Sequence, residues 1–330
     1  MAVYTADLSK KVDFSTQKCE FSFNGLTFTD KYASIKKKTE NQVNPMSEIS
    51  EILKMSKMPE DAVEYCEKVF GEIKARPELF NLLVTAEARY MQGFDPVKQA
   101  AALAEKTGYH RYTIDLILLI YSCLRLRRIY EANGYSEEMF ASTTPENIGY
   151  TAETCMKLHG IVGCSFFYAY RTFYNCTRFR LGRLHFEIVK MPFDYKDICK
   201  AGETVLSCHI PASGPLLMEE VEESLKLAYD FFKINGPMVA VCSSWLLYPE
   251  FYKKVFKKGS NLSRFYELFE VVDSKKRAFS ADAWRVFGTL ETDLDKLPQD
   301  TTLQRNLLAF LKEGNSMGGG YGVLVRNYDK

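Results

Sequence analysis

The sequence predicts an α/β (α+β) protein in two parts: an all-helical N-terminal domain over residues 1–176 and a mixed-sheet α/β domain over residues 177–330. Three observations predict it. From Ser47 to about Asn175, apolar residues recur every three or four positions, the spacing of helices with one buried face. At Phe179 the period shortens to two, the alternation of a half-buried strand. Beyond that, strand-like and helix-like segments take turns, the order that lays helices on a sheet.

The first element is a short hairpin. Phe21-Ser22-Phe23 and Leu26-Thr27-Phe28 flank Asn24-Gly25, a dipeptide that favours a two-residue turn. Lys36-Lys37-Lys38 and the residues to Pro45 read as an exposed loop. Helices follow. Pro59-Glu60-Asp61 opens one with acidic residues against the positive end of the helix dipole, and Val63, Cys66, Val69, Phe70 and Ile73 form its apolar face. Pro77 opens the next, and Asp95-Pro96 a third that Gly108 ends. A long helix from about Tyr112 to Ala132 stops at Asn133-Gly134. Ser136 caps a short helix, and Thr144-Pro145-Glu146 starts another that ends near His159-Gly160. Cys164 to Asn175 reads as an aromatic helix at the seam between the two parts.

In the second part, Phe179 to Val189 reads as one strand. Phe179, Leu181, Arg183, His185 and Glu187 are expected on one face, with Arg180, Gly182, Leu184, Phe186 and Ile188 on the other. Thr204 to Ile210 is a second strand, followed by the loop Pro211-Ala-Ser-Gly-Pro215 and an amphipathic helix from Met218 to Lys233. Met238 to Leu247 is apolar enough for the middle of a sheet. Pro249 to Phe256 is a short helix, Phe265–Val272 and Ala283–Phe287 read as strands, and Pro298 to Leu311 is a helix capped by Asp300 or Thr301. Gly318-Gly-Gly-Tyr-Gly is expected as a flexible loop leading into a last strand.

Composition narrows the function classes. With 43 Lys and Arg against 42 Asp and Glu, the chain lacks the basic footprint of a dedicated nucleic-acid binder. The nine cysteines are dispersed and form no C-x-x-C pair, which points to free thiols in a reducing cytoplasm and to no metal site. The N-terminus has no apolar core of a signal peptide, and the most apolar run, Ile114 to Leu124, contains Asp115 and is too short to span a bilayer. No phosphate-loop or dinucleotide fingerprint precedes a helix.

Several stretches carry a resemblance. These are Leu181-Gly-Arg-Leu-His-Phe-Glu187, His209-Ile-Pro-Ala-Ser-Gly-Pro-Leu216, Ser244-Trp-Leu-Leu247, Ser260-Asn261 with Phe265, Val286-Phe287, and Leu297-Pro298 with Thr302-Leu-Gln304. Together with the strand, loop, helix, strand, helix, strand order, they resemble a bacterial acyltransferase-domain family that joins a helical N-terminal domain to a GNAT-like C-terminal domain. The resemblance covers about Tyr135 to Val325. It implies an N-acyltransferase that moves an acyl group from acetyl-CoA or another acyl-CoA, as co-substrate, directly to an amine of a small molecule or peptide.

By position, the donor's diphosphate belongs at Pro211 to Leu216, where Ser213, Gly214 and Leu216 are the candidate binding residues ahead of a helix N-terminus. The loop departs from the usual GNAT pattern: it has no basic residue, one glycine and two prolines without N–H groups, and Glu219, Glu220, Glu222 and Glu223 follow it. The same residues also read as a Pro/Gly turn closed by an acidic helix start. Candidate bases are Glu187 and His209, and Tyr252 stands about where a GNAT general acid would. Arg183, Ser244, Trp245, Ser260 and Asn261 are candidate substrate contacts. Cys208 and His209, as strand neighbours, face opposite ways and make a poor nucleophile pair. A non-catalytic binder of a small ligand or partner, built on a degenerate GNAT domain, is the alternative; a hydrolase using the same cleft is a third reading.

Overall fold

The computed structural model describes residues 22–23, 26–27 and 45–328. The chain divides into two units, Met1–Gln42 and Val43–Lys330. In the first, β1 (Ser22–Phe23) and β2 (Leu26–Thr27) pair antiparallel with Phe23 opposite Leu26, the spacing of a two-residue hairpin turn. The lysine run and residues 39–44 of the expected loop lie outside the described residues.

The second unit begins with seven helices in succession: α1 (Pro45–Ser56), α2 (Glu60–Lys74), α3 (Pro77–Met91), α4 (Val97–Thr107), α5 (Arg111–Ala132), α6 (Glu137–Thr143) and α7 (Pro145–His159). Their ends follow local chemistry. Ser136 Oγ accepts the Met139 N–H at 3.1 Å, and Gly108 and Gly160 close α4 and α7 in the left-handed conformation. Thr144 occupies the N-cap position of α7 without a side-chain bond to it. α5 is the axis of the group: every residue from Thr113 to Ile120 is buried, which explains its unbroken apolar pattern.

The expected aromatic helix 164–175 is shorter. A 3₁₀ turn, Phe167–Tyr170, leads into α8 (Arg171–Tyr174). The residues before it are drawn into tertiary bonds instead: the Cys164 N–H donates to the Tyr112 carbonyl at 2.8 Å, and a Cβ on Gly163 would lie 2.6 Å from that of Tyr112.

The sheet is mixed and six-stranded. Its strands are β3 (Arg178–Leu181), β4 (Leu184–Lys190), β5 (Thr204–His209), β6 (Met238–Ser244), β7 (Glu270–Lys276) and β8 (Gly318–Arg326), in the order β3-β4-β5-β6-β8-β7. Only β5 and β6 are parallel. The crossover between them is α9 (Met218–Phe231), whose Val221, Leu225 and Ala228 are buried. One sheet face carries the buried Phe179, Leu184, Phe186, Leu206, Cys208 and Ala240, and Phe231 and Phe232 pack against Phe179 there. Full burial of each such phenylalanine contributes about 1.5–3 kcal/mol. On the other face, Val205, Val241 and Val323 pack with Met191, Tyr195 and Cys199 of the β4–β5 connection.

Four expectations are corrected. The single strand Phe179–Val189 is a hairpin, β3 and β4, turned at Gly182-Arg183 with Gly182 at φ 67°. Phe265–Val272 divides: Ser260 Oγ accepts the Ser263 N–H and caps α11 (Asn261–Glu267), and the strand begins only at Glu270. α10 (Pro249–Lys254) lies before it, as expected. Ala283–Phe287 belongs to α12 (Phe279–Phe287), since Ala283 and Phe287, four apart, share its buried side and Gly288 ends it. The glycines from 318 onward are strand rather than loop, because a Cβ at Gly320 would run into the Leu247 carbonyl oxygen and one at Gly318 into the Tyr248 ring. α13 (Thr302–Lys312) keeps its Thr301 cap, completed by Gln304 as a capping box.

Candidate active site at the β5–β6 split

The two strands at the centre of the sheet part company. β5 and β6 are in register only at Leu206–Ala240 and Ser207–Val241, yet β5 runs on to His209 and β6 to Ser244. Past the split each stays with its outer neighbour: His209 opposite His185 of β4, and Ser243 opposite Tyr321 of β8. The strands therefore diverge beyond the Cys208 and Cys242 thiols, which still meet across the joint, toward His209 and Ser243. Such a mouth, at the carboxyl ends of parallel strands, is where open α/β sheets take ligands.

Register places charged side chains beside this mouth. Arg178, Glu187 and Ser207 form one cross-strand row on β3, β4 and β5; Arg180, His185 and His209 form the next. Arg178 Nε donates to Glu187 Oε2 at 2.9 Å, and its Nη2 donates to the same oxygen. His209 Nε2 lies 3.0 Å from Glu187 Oε2. Burial pushes the Glu187 pKa up, but the His209 hydrogen bond and the Arg178 charge outweigh it, so the carboxyl sits below its usual range and is ionised. An ionised carboxylate only accepts, so His209 carries its proton on Nε2. Burial lowers the His209 pKa against the pull of Glu187, which keeps the ring neutral near pH 7 and Nδ1 a lone-pair acceptor. Among the three, His209 is the accessible one: its side chain is 35% exposed, against 15% for Glu187 and 16% for Arg178.

His185 is buried behind this pair. Burial first, then the charges of Arg178 and Arg180, hold its pKa well below the ordinary histidine value. Phe173 meets it edge-on at 5.4 Å, and the Arg178 guanidinium lies 5.0 Å from the same ring centre. The aromatic segment before β3 thus braces both residues.

The loop after β5 is built against the β3–β4 turn. Arg183, buried, donates from Nη1 to the Pro211 carbonyl (3.0 Å), from Nη2 to that of Gly214 (3.0 Å) and from Nε to that of Pro215 (2.9 Å). It therefore grips the loop and does not share the Glu187 face. Arg180 Nη2 reaches Ser213 Oγ at 3.4 Å. Gly214 is exposed at φ 69°, Leu216 is buried, and Leu217 starts α9 with no side-chain cap on its first N–H groups.

The other expected residues have local partners of their own. Ser244 Oγ accepts the Leu246 N–H at 3.2 Å and caps a 3₁₀ turn, Trp245–Leu247. Trp245 is half-buried against Phe251 and Phe256. Ser260 caps α11, and Asn261 is its first residue. The Tyr252 hydroxyl donates to Glu267 Oε1 at 2.9 Å, and its ring stacks on Tyr266. The Glu267 carboxylate raises its pKa, making it a weaker acid. Cys208 points away from His209, as expected, and the Cys242 thiol beside it, then burial, push its pKa up, so Cys208 is not a ready nucleophile. Among the described residues no group of three or more His, Cys, Asp or Glu is placed to hold a metal ion, and no helix is long and apolar enough to cross a membrane.

Sequence reasoning missed Arg178 and Arg180. The two arginines flank Phe179 in an Arg-Phe-Arg alternation, which is itself a strand signal with two charges on one face. Ser243, expected on the strand that borders the cleft, is exposed at the mouth.

Residues 178–324 match the family model of the GNAT-like C-terminal domain. No curated protein matches the chain. Among solved structures, an acyltransferase in complex with decanoyl-CoA and teicoplanin superposes with a TM-score of 0.69 at 23% identity, covering 84% of this chain and 88% of that one. A mutant acyltransferase in complex with octanoyl-CoA gives the same TM-score and identity over 84% of this chain and 87% of that one. A further acyltransferase structure, with CoA and 10C-teicoplanin, has a TM-score of 0.68 at 23% identity over 83% and 86%. At this identity the likeness establishes the shared fold.

Proposed function

We propose, from the premise that residues 178–324 are a GNAT-like C-terminal domain preceded by helices, that the protein transfers an acyl group from acyl-CoA directly to an amine. One observation carries the reading: a neutral imidazole, oriented by a carboxylate, stands at the place where the central strands split, directly ahead of the loop into α9. The acyl-CoA ligands of the fold relatives support that donor.

In this reading the amine nitrogen attacks the thioester carbonyl, and His209 Nδ1 takes the proton the nitrogen loses. The tetrahedral intermediate collapses with cleavage of the C–S bond, and the same proton returns from the imidazolium to the CoA thiolate. Glu187 holds the ring and stabilises the imidazolium. Tyr252, weakened as an acid by Glu267, is not needed for either transfer. The donor's diphosphate lies on the Pro211 to Leu216 loop, where Ser213, Gly214 and Leu216 line it. The acceptor is an amine of a small molecule or peptide. We place the division between a helical and an acyltransferase domain near residue 176, and the protein in a reducing cytoplasm, since all eight described cysteines are free and buried.

Calorimetry with acyl-CoA, followed by thiol release with a panel of amines, tests the reading. Binding with amine-dependent thiol release is expected. Absence of binding at millimolar acyl-CoA would overturn it, and binding without turnover of any amine would favour a non-catalytic binder.

A further inference from the structure

The loop after β5 contains no cation, yet a diphosphate carries two or more negative charges, and Glu219 and Glu220 stand in the first turn of α9. We propose that the β3–β4 hairpin supplies what the loop lacks: Arg183 positions the loop with its donors outward, and Arg180 is the side chain within reach of the donor's phosphates. The proposal rests on the acyl-CoA reading above.

The geometry of one guanidinium argues the first half. Arg183 directs three N–H groups at the carbonyls of Pro211, Gly214 and Pro215, all within 3.0 Å. In a trans peptide the N–H points opposite to the C=O, and the described chain contains no cis peptide. With the Pro211 and Pro215 carbonyls turned to Arg183, the N–H groups of Ala212 and Leu216 are turned away from it. An anion approaching from that side meets donors rather than carbonyl oxygens. The two prolines remove two donors from the loop, so the orientation of those that remain decides whether it can hold a phosphate. Arg183 is itself fixed: its own N–H donates to Ser224 Oγ on α9 at 2.7 Å, and Ser224 Oγ donates to the Glu220 carbonyl at 2.6 Å. A Cβ on Gly182 would lie 2.7 Å from Ser224 Oγ, so the glycine lets the turn close on the helix.

Charge argues the second half. The Arg183 side-chain hydrogen bonds all end on neutral carbonyls, so its positive charge stands behind the loop, offset only at a distance by Glu220. Arg180 Nη1 donates to Glu146 Oε2 at 3.0 Å, but Lys57 Nζ pairs with the same carboxyl group at 2.6 Å, so two cations share one anion. Its Nη2 faces Ser213 Oγ at 3.4 Å, at the edge of the loop. Arg180 and Lys57 therefore share the Glu146 carboxylate beside the loop, and Arg183 stands near Arg180 with Glu220 as its acidic neighbour.

The test compares acyl-CoA with the matching acyl-pantetheine, which has the same thioester and no diphosphate. Arg180→Gln is expected to raise KM for acyl-CoA roughly tenfold, the loss of one charge-assisted hydrogen bond, and Arg183→Met, which releases three loop carbonyls, to raise it at least as much. For both variants the loss is expected to be several-fold smaller with acyl-pantetheine. Arg183→Lys, which keeps the charge but not the three-pronged geometry, is expected to fall between. Equal losses with both donors, or no loss with either, would overturn the proposal. Should Arg183→Met fail to fold, Arg180→Gln decides alone. A wild-type protein that does not bind CoA would instead sink the acyl-CoA reading, so the two failures are separable.

Discussion

The His209 imidazole and the Glu187 carboxylate, on adjacent strands but not opposite one another, meet at 3.0 Å on the diagonal of the β4–β5 ladder. Their division of labour is testable. His209→Gln is expected to lower kcat by about 10²–10⁴-fold, the usual worth of a positioned base, with CoA affinity unchanged by calorimetry. An equal loss of CoA affinity would make His209 a binding residue instead.

Opposite shifts in pH profile are expected from the two neighbours of His209. The Glu187 carboxylate raises its pKa and the Arg178 charge lowers it. Glu187→Gln should therefore move the acid limb of kcat to lower pH while lowering its plateau. Arg178→Met should move the limb to higher pH and, by leaving a half-buried carboxylate short of a partner, lower stability by about 1–3 kcal/mol. Shifts in the same direction for both variants would exclude His209 as the titrating base.

Acid should loosen the fold through the same cluster. His185 titrates well below the ordinary value of 6.5, so the stability its neutral ring contributes is present above pH 6.5 and lost as pH falls toward its folded value. Glu187 titrates below 4.5, so its contribution is present above that value and lost lower still. Urea denaturation at a series of pH values should show stability falling first below pH 6.5. His185→Phe should flatten that first decline; a slope equal to the wild type would place the proton uptake elsewhere.

Two glycine substitutions should act in opposite directions. A Cβ on Gly320 meets the Leu247 backbone, which cannot give way as a side chain can, and Gly320→Ala should cost about 1–3 kcal/mol or more. Gly71 lies within helix α2 with open space around it, and Gly71→Ala should add about 0.5–1 kcal/mol. Thermal melting of both variants checks the pair.

Much of this was legible in the sequence, and the misreadings have physical causes. Cap chemistry, which is local, gives the helix start at Ser136 and narrows the later one to Asp300 or Thr301, of which Thr301 is the cap. Glu187 and His209 stood out as titratable groups on strands, but their pairing depends on register between strands, which no local pattern encodes. The β3–β4 turn did leave a trace. Apolar residues sit at odd positions in Phe179 and Leu181 and at even ones in Leu184, Phe186 and Ile188, a change of parity that a continuous strand does not make. Reading through it put Arg183 on the wrong face. Ala283–Phe287 reads as strand because so short a segment fits either period; it lies in the helix Phe279–Phe287, where Asp282 pairs with Arg277 and, one turn on, with Arg285.

The sheet is joined unevenly along its width. β4 holds β5 through six register positions and β6 holds β8 through seven, while β5 and β6 share two. That joint has the fewest register positions of any in the sheet. A molecule lodged in the mouth acts there as a splint, tying two half-sheets that the backbone alone barely joins. Slowed amide exchange on both flanking strands would then report occupancy directly, without any chemistry having taken place.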